Sequence, residues 1–246
     1  ITPARPRVGV APSITDAEVL TLAAIAPLVG IDTDRRFLRY ARKHLRGMFP
    51  YIPGQSGYNK RLRALAGTIG WLAAALATTT SVYTDDVRLV DSTPVECARS
   101  RPTVQRSNLA GWAGYGYCPS HSRFFWGLRL HLITTTAAGL PVAWALTNPA
   151  DDEREVLRSM LARLEPTTDQ TIAADKGYRS KDLEADLNQA GLTLLRPAAR
   201  NEAPRPGAAA LKKIRQRIES VFDTLKDQLS LERHGGRTPT GVTARV

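Results

Sequence analysis

The chain has little sulfur and little acid. Two cysteines, Cys97 and Cys118, in 246 residues cannot build a disulfide framework, so a reducing cytoplasm is the expected setting. No basic segment followed by an apolar one opens the sequence, so no secretory signal is expected. Acidic residues number 23 against 34 Lys and Arg, a formal net charge of +11. That balance favours polyanionic partners, nucleic acid before membrane. Long apolar runs are scarce too. Leu65 to Tyr83 carries no charge over 19 residues, but it is built of Ala, Gly and Thr and flanked by charge, so it reads as a buried helix. Walker A, G-x-G-x-x-G and G-x-S-x-G are all missing. Cys118-x-x-His121 is half of a zinc pattern with no second half, and His131 in LRLHLI reads as a sheet residue.

What is present falls into two parts. Residues 1–12 are rich in Pro and Arg and read as a loose tail. Thr15-Asp16-Ala17-Glu18 is a capping box that opens a helix ending near Gly30. A second helix is expected over about 33–46, with Phe37, Leu38, Ala41 and Leu45 on one apolar face. A third is expected over about 59–79, after a Pro/Gly-rich turn. Arg35 to Arg63 holds nine Lys or Arg and no acid, with Tyr40, Tyr51 and Tyr58 interleaved. This makes 1–83 a helical DNA-binding region, with Arg39, Arg42, Arg46, Arg61 and Arg63 as contacts. The second and third helices suggest a helix-turn-helix-like module, though the turn between them is long.

From residue 84 the pattern alternates. Strands are expected at 87–90, 124–136, 140–146, 171–174 and 192–195, and helices at 151–164, 181–190 and 208–231. Residues 99–122 read as a long irregular loop. Its Arg99, Arg101, Arg106, Trp112, Tyr115 and Tyr117 suit either a packed loop or the stacking of unpaired DNA. The fold class expected is mixed α/β (α+β): a ribonuclease H-like mixed five-stranded sheet with flanking helices, preceded by a small all-helical N-terminal domain.

Three acids stand in matching contexts: Asp91 in LVDSTP, Asp175 in IAADKGY and Glu219 in RQRIESVFDTLK. The first two follow apolar strand-like runs that the fold makes neighbours, and the third lies on the last helix. Three carboxylates on separate elements can hold two hard cations beside a phosphodiester. Arg215 and Lys226, four before and seven after Glu219, flank it on the helix face that would meet DNA. Glu96 reads either as an outer carboxylate or, better, as a solvated one.

Arg215, Glu219 and Lys226 at this spacing resemble the signature around the third acid of bacterial insertion-sequence DDE transposases. VDSTPVE and ADKGYRS resemble that family's segments around its first and second aspartates. WGLRLHLITTTAAGLPVAWALT with DDERE resembles the hairpin and helix between them, and FLRYAR and SGYNKRLR extend the likeness toward Thr15. The resemblance implies a catalytic domain over 84–246. It implies catalytic, metal-binding roles for Asp91, Asp175 and Glu219, two Mg²⁺ ions with Mn²⁺ substituting, and DNA contacts from Arg215 and Lys226. It also implies cleavage at mobile-element ends, transfer of the 3′-hydroxyl into target DNA, double-stranded DNA as partner, a homodimer on DNA, no membrane, and a bacterial cytoplasmic setting. Family members extend beyond both ends of this sequence, so truncation is expected. A non-catalytic DNA-binding remnant and a simple nuclease of the same fold are the rival readings.

Overall fold

The computed structural model describes residues 12–118, 122–164 and 169–246, and only the backbone at 208, 209 and 212. The tail expected at 1–12, Pro12 excepted, and His121 therefore lie outside the described residues. The chain divides into two compact units, Ile1–Ala73 with Leu225–Val246, and Ala74–Thr224. The sequence division at 83/84 follows composition and keeps 225–246 with the second part. The units follow packing and place that segment with the first.

The first unit is helical. In α1 (Asp16–Leu28) the Thr15 hydroxyl accepts the Glu18 N–H at 3.2 Å, and the Glu18 carboxylate accepts the Thr15 N–H at 2.7 Å. This reciprocal cap satisfies two end donors that the helix cannot. With α2 (Asp34–His44) and α3 (Gln55–Ala64) it buries Val19, Leu22, Phe37, Leu38, Ala41, Tyr58 and Leu62. The short α9 (Pro239–Thr243) packs on α3. Arg245 then pairs with Asp34 at 2.6 Å and donates to Asn59 at 3.0 Å. The helix expected over 59–79 is two helices. It starts at Gln55 and breaks at Leu65, where α4 (Ala66–Thr78) begins. No helix among the described residues is long and apolar enough to cross a membrane.

The second unit is a mixed α/β layer structure around a six-stranded sheet. Its strands are β1 (Val87–Ala98), β2 (Gly114–Cys118), β3 (Arg123–Thr135), β4 (Pro141–Thr147), β5 (Thr171–Ala173) and β6 (Thr193–Leu195). The order is β2-β3-β1-β5-β6, with β4 also on β3. The pairs β1–β3, β2–β3 and β3–β4 are antiparallel; β1–β5 and β5–β6 are parallel. With β2 set aside, this is the ribonuclease H-like arrangement expected from the element order. α6 (Glu153–Leu164) and α7 (Lys181–Gln189) cover one face, burying Val156, Leu157, Met160, Leu183 and Leu187 against Val90, Ile133 and Ile172. α8 (Ala208–Asp223) packs on β1 and β5.

Two expectations need correction. The sheet has six strands, because the segment expected as an irregular loop holds a short helix, α5 (Arg101–Gln105), and β2. The Gly-Tyr-Gly-Tyr run of β2 lacks the branched residues that mark a strand, and glycine argues against one. The first strand also does not end at Asp91. Its parallel pairing with β5 stops at Leu89, but its antiparallel pairing with β3 runs on to Ala98. Past Leu89 no strand among the described residues pairs with β1 on its β5 side, and Pro94, which has no N–H to give a ladder, sits on that stretch.

Candidate active site

The sheet register brings the two aspartates together. The last parallel pair is Leu89 with Ala173, and Asp91 and Asp175 each lie two residues beyond it. Neighbouring strands run about 4.8 Å apart. Strand alternation turns Asp91, like Leu89, to the face opposite Val90, which lies under α6. Each carboxylate is anchored locally. Asp91 Oδ1 accepts the Ser92 N–H at 2.7 Å. Asp175 Oδ1 accepts the Gly177 N–H at 2.7 Å, capping the turn Lys176–Tyr178.

Burial pushes the Asp91 carboxyl up to about 6. The Ser92 N–H pulls it down, the charges of Asp175 and Glu153 push it up, and Arg215 pulls it down. Two like charges in a partly buried corner are costly unless a cation joins them.

Glu153, in the first turn of α6, is a site residue that the sequence reading missed. Its Oε1 accepts the Ser92 hydroxyl at 3.1 Å and pairs with the Arg129 guanidinium. An acid opening a helix reads as a dipole cap, and nothing local in DDERE shows that it faces Ser92. Tyr178 lies nearby, fully buried, with its hydroxyl unpartnered among the described residues. Burial raises its pKa, the charges of Glu153, Asp91 and Asp175 add to the rise, and Arg129 opposes it.

α8 brings the third acid's neighbourhood to the sheet. Ile218 and Phe222 are buried, and Arg217 Nε donates to the Thr136 carbonyl at 3.2 Å. Gly139, at φ +69°, leaves room for this contact; a Cβ there would stand 2.7 Å from Val221 Cγ2. Arg215 is half-buried and acts on Asp91, whereas Glu219, one turn further, is exposed. Among the described residues no three His, Cys, Asp or Glu side chains stand close enough together to hold a metal. Glu219 is thus not gathered with both aspartates into one closed ligand set.

The helix expected to run to Leu231 leaves α-geometry at Asp223, and Thr224–Gln228 is a π-helical turn. Its i→i+5 bonding rotates later residues off the α phase, so Lys226 does not share the face of Glu219 by simple spacing. Lys226 falls in the first unit, where it lines a cavity of about 860 Å³ with Asp34, Tyr58 and Arg245.

The other basic candidates divide. Arg39, Arg46 and Arg63 are exposed. Arg42 donates to the Pro53 carbonyl at 2.6 Å, and Arg61 donates to the Ile14 carbonyl at 2.9 Å and pairs with Asp16. Tyr51 is exposed and Tyr58 buried. Glu96 is neither solvated nor beside Asp91 on the same face. It is largely buried and pairs with Arg99 at 3.2 Å and Arg123 at 3.3 Å. His131 is buried in β3, bonded through Nε2 to the Thr147 hydroxyl at 3.0 Å; burial, with Arg129 adding, lowers it to about 4, so it stays neutral. Cys97 is partly buried and Cys118 buried.

The donor chemistry suits a hard dication. Asp91 and Asp175 offer anionic oxygen, and Mg²⁺ is commonly held by one or two carboxylates completed by water and substrate phosphate.

The chain is similar to the Drosophila P element transposase in a strand transfer complex, at 12% identity and TM-score 0.37, over 78% of this chain and 42% of that one. It is similar to the piggyBac transposase in a synaptic complex with hairpin DNA, at 12% and 0.34, over 51% and 25%. It is also similar to a pre-cleavage Mos1 transpososome, at 10% and 0.28, over 93% and 81%. The chain thus spans a quarter of the piggyBac chain and under half of the P element chain. No curated protein matches it. A family model described as the transposase DDE domain matches residues 83–246, about two thirds of the sequence, with Asp91, Asp175 and Glu219 all inside the match. On that match, the chain belongs to the transposase DDE domain family.

Proposed function

We propose that this chain cuts DNA at the ends of a mobile element of the insertion-sequence type and joins the freed 3′-hydroxyl to target DNA. The observation that carries the reading is that Asp91 and Asp175 each lie two residues past the last β1–β5 pair, with the charges of Asp175 and Arg215 both acting on the Asp91 carboxylate. Asp91 and Asp175, with Glu219 from α8, would hold Mg²⁺, or Mn²⁺ in its place. When bound, the ions lower the pKa of an attacking hydroxyl and offset charge on the phosphate.

The chain's own residues prepare that site. The Ser92 and Gly177 N–H groups each fix one oxygen of an aspartate, and the other oxygen accepts no hydrogen bond among the described residues. Glu153, held by Arg129, fixes the Ser92 hydroxyl and so the β1 backbone at Asp91. Tyr178, buried and within reach of the charges of Glu153, Asp91 and Asp175, would pack the apolar side of the site. Arg215, one turn before Glu219, would orient a phosphate; Lys226 would contact DNA from the first unit. Exposed Arg39, Arg46 and Arg63 would hold duplex outside the site, and residues 1–83 would form the region that binds element ends. A homodimer on paired ends in the bacterial cytoplasm is the working form we propose.

The test uses DNA carrying the sequences that flank the coding region. Pre-cut ends are mixed with supercoiled plasmid, with Mg²⁺ or with a chelator. Mg²⁺-dependent joined product is expected, with its loss in Asp175→Ala while duplex affinity is kept. Hydrolysis without joining would make the protein a nuclease of this fold. Binding without either product would make it a DNA-binding remnant.

A further inference from the structure

A second surface of the Ala74–Thr224 unit has no part in the acid site. Along one edge of β3, β4 pairs with Arg129–Thr134 and β2 pairs with Arg123–Gly127, so β2 and the start of β3 form a ribbon extending the sheet. The register sets Tyr115 opposite Trp126 and Tyr117 opposite Phe124. Cross-strand partners share a face. Trp126 is buried, but Tyr115, Tyr117 and Phe124 are 64%, 46% and 77% exposed. The Tyr117 and Phe124 ring centroids lie 5.1 Å apart, tilted by 59°.

The opposite face explains why these rings point outward. A Cβ on Gly114 would stand 2.7 Å from Asn148 Oδ1, and one on Gly116 would stand 2.7 Å from both Phe125 Cζ and Pro149 Cβ. Asn148 itself donates to the Trp112 carbonyl at 3.1 Å. The glycines let the strand press onto Phe125, Asn148 and Pro149, and alternation leaves the tyrosines on the far side. Three neighbouring exposed aromatics contribute little to folding, and such patches mark binding surfaces.

Charge selects the occupant. Between Glu96 and Asp151 the sequence has no acidic residue and five arginines, Arg99, Arg101, Arg106, Arg123 and Arg129. Arg99 and Arg123 converge on the single carboxylate of Glu96 at the base of the ribbon, and both remain substantially exposed. Alternation puts Glu96 and these two arginines on the face opposite the rings, so one ribbon without acids carries exposed arginines on one side and open aromatic faces on the other, which suits a polyanion whose own rings are open. Duplex DNA hides its base faces; an unpaired strand offers them. Alternation along β3 also puts Phe124 on the same sheet face as Leu132, the partner of Asp91. The two lie eight residues apart, roughly 27 Å along the strand.

We propose that Tyr115, Tyr117 and Phe124 form a stacking platform for the bases of an unpaired DNA strand. This rests on the DNA reading above and adds the state of the DNA that the protein holds. The test measures binding of the full chain to a blunt duplex and to the same duplex with an eight-nucleotide dT tail. The tail is expected to tighten binding by the wild type. Y115A/Y117A/F124A is expected to lose that gain, about tenfold or more, while blunt-duplex affinity and thermal midpoint are kept. Y115F/Y117F is expected to retain the gain, because stacking needs the ring and not the hydroxyl. If the triple variant has a lowered midpoint, Phe124→Ala alone, at the most exposed ring, decides by the same comparison. Equal tail gain in variant and wild type would overturn the platform. So would equal loss on both probes, or a changed oligomeric state with tail gain intact, which would assign the surface to a second copy. Wild type that binds neither probe would remove the DNA reading itself.

Discussion

At the scale of residues, the site is a conflict of charges held in place by backbone donors. Asp91 is raised by burial first and further by Asp175 and Glu153. Its folded value, about 6, lies above its ordinary 3.8. A raised carboxyl favours the fold below the unfolded pKa and loses that contribution as pH climbs through the folded value. The metal-free protein should therefore lose stability between about pH 4 and 7 at this residue, on the order of 3 kcal/mol for a shift of about two units. Asp91→Asn should be more stable than wild type at pH 7.5 in chelator, with the gap closing near pH 4, by urea denaturation. Mg²⁺ should stabilise the wild type and not the variant. An Asp91→Asn protein less stable than wild type at pH 7.5 would show that the carboxylate is needed by the fold. Asp91 and Asp175 were legible in the sequence because each follows a strand-like run. Glu153 and Tyr178 were not, because their place in the site depends on Arg129, Ser92 and burial, which come from β3, β1 and the sheet as a whole.

At the scale of elements, β1 and β3 carry the architecture. Gly127 is the crossing point, paired with Glu96 on one side and Gly114 on the other. A Cβ at Gly127 would overlap the Val95 carbonyl oxygen and stand 2.9 Å from the Cys97 nitrogen. Backbone cannot yield there as a flexible side chain would. Gly127→Ala should cost about 3 kcal/mol, read as a lowered denaturation midpoint; an unchanged midpoint would mean that the strands separate freely at this point. Periodicity revealed the long apolar strands, the capping box of α1 and the amphipathic α6. It missed β2, whose strand character comes from packing against Phe125 and Pro149. It also ran α3 and α4 together, because the break at Leu65 has no Gly or Pro to mark it. The π turn at Thr224–Gln228 is silent in the sequence as well, and it undoes a spacing argument for Lys226 that a continuous α-helix would support.

At the scale of the whole molecule, most of the net charge of +11 falls in the first unit, where 15 Lys and Arg stand against 6 acids, but its parts do different work. Arg42 and Arg61 are tied to Pro53, Ile14 and Asp16 inside the helical unit, so their removal should lower stability. Arg39, Arg46 and Arg63 are exposed. Replacing any one of these three with Ala should reduce the salt slope of duplex binding by about 0.9, with the denaturation midpoint kept. An unchanged slope for all three would move duplex binding elsewhere on the surface. Composition points to a polyanionic partner and does not say which arginines are exposed, since that depends on carbonyls and acids distant in sequence.

The central claim is that Asp91, Asp175 and Glu219 act together on a phosphodiester, and the joining assay tests it when run on Asp91→Asn, Asp175→Asn and Glu219→Gln side by side. Each is expected to lower the rate at least about a thousandfold while duplex affinity stays near wild type. Glu219→Gln joining at the wild-type rate would contradict the account, leaving the two aspartates to work without the helix that carries Glu219.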